Sequence, residues 1–375
     1  MYRGSATAPL EDFLPLLQFP TPYQDWYTPA RANDAKCHCP MKVFFFGWPS
    51  YYGGADTKAV HLLKLLSGHV DITVIPNSPG QLQESSWTQR LDEWGVNYAT
   101  LESLPDRLDG VALAMCNSPF LLSGIYSTAR RRGLRIVWSS EMMWHHPFEV
   151  DLIKAGAIDR LLYVSEIQKK ALNYESFCDV PTRITGNFLS VDEFPFVERP
   201  RDLPLTIGRL SRADPLKYPE DFPVFYEALA LPDVRFRVMA WSEELAQKYR
   251  WHRFDHRWEL LAPEAEPAVE FLQSLDLFVY TLGHRFTESW GRSTVEAMLT
   301  GAIPLVPAGH HFASLIVHGE SGYLCSDFLE FQSYARQLAE DPLARQGMSR
   351  ACRRRAELLN DPETHRAVWL EALNV

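Results

Sequence analysis

Apolar positions along this chain fall into short unbroken runs separated by amphipathic stretches. Residues 41–47, Met-Lys-Val-Phe-Phe-Phe-Gly, form the first run. A run so short and so continuously apolar predicts a strand buried on both faces of a parallel sheet. Gly53-Gly54 follows, then a stretch with Ala59, Leu62, Leu63 and Leu66 on one helical face, closed by Gly68. Residues 70–75, Val-Asp-Ile-Thr-Val-Ile, make the next strand. Strand, glycine loop, helix and strand in that order imply a right-handed crossover in an open parallel sheet. Further strands are predicted at 111–115, 135–138 and 160–164. A second series begins after Pro200, at 205–208, 235–240, 275–280 and 303–306, with helical stretches between. Residues 195–204 hold Pro195, Pro200, Pro204 and several charges, and read as the linker between the two series.

The expected fold is α/β, with two Rossmann-like, doubly wound domains facing a central cleft where strand ends and glycine loops meet a ligand. Residues 1–40, rich in proline and aromatics without periodicity, form an N-terminal extension. The first domain covers 41–198 and the second 199–360. The last helix, about 361–375, starts with Asp361 as N-cap and Pro362 behind it. Its apolar Val368, Trp369, Ala372 and Leu373 are expected to pack back on the first domain.

Composition narrows the function. At 375 residues the chain is long for one core, and hydrophobic residues at 46% with aromatics at 13% exclude a disordered protein. A net charge of −10 disfavours binding nucleic acid by broad phosphate neutralisation. No run approaches the roughly 20 apolar residues that a membrane span needs, and the first ten residues lack the apolar core of a secretion signal. Six scattered cysteines read as reduced thiols of a cytoplasmic protein. Cys37-His38-Cys39 reads as an ordinary loop, and no metal site is expected. The dense basic run of Arg350 with Arg353-Arg354-Arg355 reads as a solvated helix face, with peripheral contact to a membrane surface or an anionic acceptor left open.

The chemistry concentrates at Glu288-Ser-Trp-Gly-Arg-Ser-Thr-Val-Glu296, two carboxylates around a glycine turn at the start of a helix. A helix N-terminus attracts anions, and carboxylates accept hydrogen bonds from polyols. Amides for phosphate beside acids for hydroxyls suit a nucleotide sugar. A structural competitor is a capping box, Ser293 with Glu296.

With Gly208-Arg209-Leu210-Ser211 leading to Pro215-Leu216-Lys217, Asp276-Leu277-Phe278-Val279, and Gly319-Glu320-Ser321-Gly322-Tyr323, these residues resemble the retaining glycosyltransferases of the GT-B fold, family 4. The similarity spans residues 41 to 323, and its first half rests on Gly53-Gly54, Val164-Ser165, Gly186-Asn187 and Val191-Asp192. The resemblance implies transfer of a sugar, with retention, from a nucleoside diphosphate donor (a UDP- or GDP-sugar) to a hydroxyl of a saccharide, lipid or small molecule, without a metal or other cofactor. It implies Arg209 and Lys217 on the donor diphosphate, with Arg212 in reserve. Glu288 then meets the transferred sugar and Glu296 the ribose. Ser289, Trp290, Gly291, Arg292 and Ser293 bracket the donor, although Trp290 also suits a core, and Gly53 and Gly54 allow close backbone approach. Where the family carries a histidine after the strand at 135–138, this chain has Glu141, with His145 and His146 as alternatives. The base is expected near 260–263 and the loop after Ala240, where Trp241 departs from the family's glycines. Arg209→Ala or Glu288→Ala is expected to abolish turnover and leave the fold intact. The competing readings are a sugar-nucleotide epimerase or hydrolase on the same scaffold, and a non-catalytic nucleotide-sugar binder.

Overall fold

The computed structural model describes residues 41–51 and 53–375. The extension expected at 1–40, with Cys37-His38-Cys39, lies outside the described residues. Seven strands build the first sheet: β1 Lys42–Phe46, β2 Asp71–Ile75, β3 Asn97–Tyr98, β4 Val111–Met115, β5 Arg135–Ser139, β6 Arg160–Tyr163 and β7 Thr182–Ile184. Six build the second: β8 Thr206–Leu210, β9 Arg235–Met239, β10 Trp258–Leu261, β11 Leu277–Val279, β12 Ile303–Pro307 and β13 Tyr323–Cys325. Every recorded pairing is parallel, as in Lys42↔Asp71 and Val43↔Val111 around β1.

Alternation along β1 explains its unbroken apolar run. Val43 and Phe45 face a core with Leu62, Leu63 and Leu66, while Phe44 and Phe46 face another with Phe120 and Trp138. Successive side chains of a strand point to opposite faces, so a sheet covered by helices on both needs apolar residues throughout. The first sheet runs β3-β2-β1-β4-β5-β6-β7 and the second β10-β9-β8-β11-β12-β13. The strand order therefore reverses between β1 and β4, and again between β8 and β11. In open parallel sheets the crevice beyond such a reversal is where ligands collect.

Four helices position the candidate site: α1 Gly54–Leu66, α2 Arg292–Thr300, α3 Pro342–Leu359 and α4 Pro362–Leu373. α3 packs on α2 beside the second sheet. The chain then turns at Asn360, whose Oδ1 accepts from the Leu189 amide at 2.8 Å. α4 starts from Asp361, which caps Thr364 N at 2.8 Å, and buries Trp369, Ala372 and Leu373 against the apolar face of α1.

Part of the basic run on α3 departs from a solvated face. Arg350 pairs with Glu198 at 2.5 Å, and Arg353 Nη1 donates to the carbonyls of Phe194 at 2.5 Å and Leu299 at 2.8 Å. Arg355 Nε donates to the Leu315 carbonyl at 2.9 Å. Arg350 and Arg353 tie α3 to the chain passing between the sheets and Arg355 ties it to the segment after β12, while Arg350 and Arg354 remain exposed.

Candidate active site

Beyond β8 the chain makes a short turn, Pro215–Lys217, started by the Asp214 side chain accepting from Leu216 N at 3.0 Å. Gly283 passes so close that a Cβ there would strike the Leu216 carbonyl. This contact presses the turn against the chain leaving β11. Lys217 Nζ thereby lies 3.4 Å from Glu288 Oε2 and 3.4 Å from Tyr280 Oη. Tyr280 Oη donates to the same carboxylate oxygen at 3.0 Å. The Lys217 and Glu288 side chains are 14% and 13% exposed, so the pair is sheltered but reachable. Burial, then the Glu288 charge, pushes the Tyr280 phenol well above its usual range, so it stays a donor. The Glu288 amide donates to His310 Nδ1 at 3.3 Å, which leaves the His310 proton on Nε2. Burial lowers His310 and holds neighbouring His311 down to about 4.

Arg209 departs from its expected place. It is fully buried, stacked 3.8 Å from the Tyr218 ring centroid and 4.6 Å from that of Tyr280. Its Nη2 donates to the Lys217 carbonyl at 2.8 Å and its Nη1 to the Thr281 carbonyl. The guanidinium thus braces the two loops from beneath, behind two aromatic rings. Lys217 is the member of the expected cationic pair that reaches the cleft; Arg212 is exposed and 3.6 Å from Asp214.

The start of α2 also corrects an expectation. Its N-cap is Gly291, at φ +95° and with no side-chain cap, so Ser293 lies inside the helix and the capping box does not form. Glu296 instead accepts from Arg292 Nε at 2.7 Å, one turn back. Arg292 Nη1 and Nη2 are buried without a hydrogen-bond partner. Burial lowers this guanidinium's pKa against the opposing charges of Glu296, Glu193 and Glu141, so its head lies within electrostatic reach of the first sheet's side. Trp290 is 4% exposed and its ring lies 6.4 Å from that of His311, a core position. Ser289 and Ser293 are half-buried beside it.

On the first sheet's side, Gly53 caps α1 in extended backbone at φ −143°. A Cβ on Gly54 would meet nothing, whereas one on Gly53 would lie 3.2 Å from Asp56 Oδ2, so only Gly54 borders open space. Glu141 is clamped: Lys58 Nζ lies 2.9 Å from its Oε1, with side chains 2% and 7% exposed. Ser139 Oγ donates to the same oxygen at 2.7 Å. Neither histidine replaces it. His145 Nε2 is held 2.6 Å from the Leu172 carbonyl, and His146 stacks on Phe148 at the start of the next helix. His61, from α1, accepts the Ser190 amide on Nδ1 at 3.1 Å, so its proton is on Nε2, which is buried and unpartnered. Burial, then the Arg292 charge, lowers His61 to about 2. Trp241, after β9, stacks on Tyr249 with ring centroids 5.7 Å apart.

Lys58, His61 and Tyr280 escaped the sequence reading. Lys58 and His61 interrupt the apolar face of a helix one turn apart, a signal that polar side chains are being buried there. Tyr280 looks like the last core residue of its strand. Among the described residues no group of three or more His, Cys, Asp or Glu side chains is placed to hold a metal ion. No helix among them is long and apolar enough to cross a membrane.

No family model and no curated protein sequence matches the chain. Its similarity is to solved structures. HepE of Anabaena, solved in complex with UDP and glucose, superposes with a TM-score of 0.67 at 16% identity, over 89% of this chain and 99% of that one. A glycosyltransferase of Rickettsia africae gives 0.67 at 11% identity, over 89% and 98%. Sucrose-phosphate synthase of Thermosynechococcus elongatus gives 0.61 at 13%, over 88% and 98%. Identities this low speak for the fold alone: the chain has the two-sheet GT-B architecture of these glycosyltransferases.

Proposed function

We propose that the chain is a retaining glycosyltransferase of the family 4 kind, moving a sugar from a nucleoside diphosphate to an acceptor hydroxyl. The observation that carries this reading is the Lys217–Glu288 pair, 3.4 Å apart at the strand-order reversal of the second sheet. A cation and a carboxylate at one crevice serve the two ends of a nucleotide sugar. Lys217 offsets the charge gathering on the departing diphosphate, and Glu288, oriented by Tyr280, takes hydroxyls of the transferred sugar. The amides at the start of α2 add a positive helix end for phosphate, and Glu296 serves the ribose when it leaves Arg292. In this reading residues 41–198 hold the acceptor and 199–360 the donor.

The front-side course needs positioning and charge stabilisation rather than a protein nucleophile. HepE has been solved with UDP-glucose, which favours a UDP-sugar over a GDP-sugar here. The test is thermal stabilisation by UDP-, GDP-, ADP- and dTDP-sugars. A ligand at about a hundred times its Kd adds about 2.7 kcal/mol. NMR of the product's anomeric configuration follows. Indifference to all four donors, or an inverted product, would refute the assignment.

The non-catalytic reading keeps one observation in its favour: Lys58 neutralises Glu141 where the family carries its histidine. Donor binding with neither transfer nor hydrolysis would select it.

A further inference from the structure

The loop leaving the cleft end of β12 runs Ala308-Gly309-His310-His311. His310 stands there at φ +60°, in the left-handed region where a side chain is strained. Glycine adopts that conformation without steric cost, yet Gly309, with open space around it, does not take the left-handed position. The next histidine has a packing role: His311 is 6% exposed, its ring beside Trp290. His310 is half-buried and sits edge-on to Phe312, with ring centroids 5.9 Å apart. Strain of this kind persists where the surroundings hold the residue, and it collects at binding sites. What holds His310 is the Glu288 amide, donating to its Nδ1 at 3.3 Å.

Each member of this bonded pair keeps one polar atom unused. The Glu288 side-chain bonds, from Lys217 and Tyr280, both end on Oε2, which leaves Oε1 without a partner among the described residues. With Nδ1 accepting, the His310 proton is on Nε2, which also has no partner among them and is not sealed from solvent. The pair therefore offers one acceptor and one donor. A hydroxyl both donates and accepts, so sugar hydroxyls satisfy both. A phosphate oxygen only accepts and meets the Glu288 charge, and an apolar group answers neither.

We propose that His310 is a sugar-binding, specificity-determining residue of the donor site, its Nε2–H donating to a hydroxyl oxygen of the transferred sugar while hydroxyl protons go to Glu288 Oε1. This rests on the transferase reading. A donor lacking that hydroxyl leaves the N–H unpaired and is rejected. His310→Asn separates this role from a structural one. Asparagine tolerates the left-handed region, and its Oδ1 takes the place of Nδ1 as acceptor for the Glu288 amide, but nothing replaces Nε2–H. The full chain is titrated calorimetrically with UDP, UDP-glucose and the 2-, 3-, 4- and 6-deoxy analogues of UDP-glucose, and its melting is followed alongside. His310→Asn is expected to melt no lower than the parent, to bind UDP equally, and to bind UDP-glucose about tenfold more weakly. One deoxy analogue is expected to bind the parent about tenfold more weakly than UDP-glucose and to lose nothing further in His310→Asn. Unchanged UDP-glucose affinity in His310→Asn, an equal loss for UDP and UDP-glucose, or a parent that binds UDP-glucose and all four analogues alike would overturn this proposal alone. A parent that binds neither UDP nor UDP-glucose strikes the donor reading, and this proposal with it.

Discussion

Arg209 Nη2 donates to the Lys217 carbonyl at 2.8 Å, so a fully buried cation holds in place the backbone that carries a reachable one. Removing it strands the Thr281 carbonyl, leaves the Lys217 carbonyl to the Gly283 amide alone at 3.3 Å, and opens a space between the Tyr218 and Tyr280 rings. Arg209→Ala is therefore expected to cost about 3–5 kcal/mol of stability, visible as a lower denaturation midpoint. A melt unchanged from the parent would contradict the bracing role. This differs from the sequence-based expectation of an intact fold.

Lys217→Met and Glu288→Gln address the pair itself. Both side chains are sheltered, at 14% and 13% exposed, but each substitution keeps most of the side chain's bulk, so melting should shift by only a few degrees. Turnover should fall by about 10²–10³-fold in each, measured as UDP release from UDP-glucose with acceptor present. Parent-like rates in both variants would remove these residues from the reaction.

Lys58 and Glu141 form a buried ion pair 2.9 Å apart. Cutting either partner alone leaves an unpaired buried charge and should cost about 3–5 kcal/mol. The double variant Lys58→Met with Glu141→Leu should cost less than the sum of the two. Denaturant titrations of the four proteins give the coupling directly, and strict additivity would mean the two charges do not need each other.

Two histidines set an acid limit. His61 is held down to about 2 and His311 to about 4, from an ordinary 6.5. Unfolding raises both pKa values, so the unfolded chain takes up protons that the folded one refuses. The stability they protect is complete above 6.5 and is lost as pH falls, at about 1.4 kcal/mol per pH unit for each group. The His311 loss levels off near 4 and the His61 loss continues lower. Denaturation midpoints measured between neutral and mildly acid pH should fall more gently in His61→Asn than in the parent; equal slopes would argue against a buried neutral ring.

Gly291 holds φ +95° at the start of α2, and a Cβ there would meet Phe312 Cε1 at 2.7 Å. Gly291→Ala should cost about 1–3 kcal/mol and weaken UDP-glucose binding by displacing the first amides of the helix. Isothermal titration of the folded variant separates the two effects, and unchanged donor affinity would remove that turn from the donor site.

Sequence legibility followed burial. The central strands β1, β4, β5, β8 and β12 were readable because helices cover both faces and most of their positions are apolar. β3, β7, β10 and β13 went unread, and they are the four sheet edges, two to four residues long. An edge strand has one neighbour and a partly wet face, so it carries little apolar signature.

What the sequence alone determined is the two-series α/β plan, the helix started by Asp361 and Pro362, and the grouping of carboxylates and glycine at 288–296. Each is written in local periodicity or in turn chemistry within a few residues. Tertiary structure decided which side chains face the cleft. It turned Arg209 inward between two rings, gave Glu296 to Arg292 rather than to a helix cap, and set Lys58 against Glu141 across 83 positions of sequence. Spacing along a chain reports which residues share a helix or strand face. The pairing of a charge depends on what the fold brings within a few ångströms of it, where desolvation leaves it no alternative.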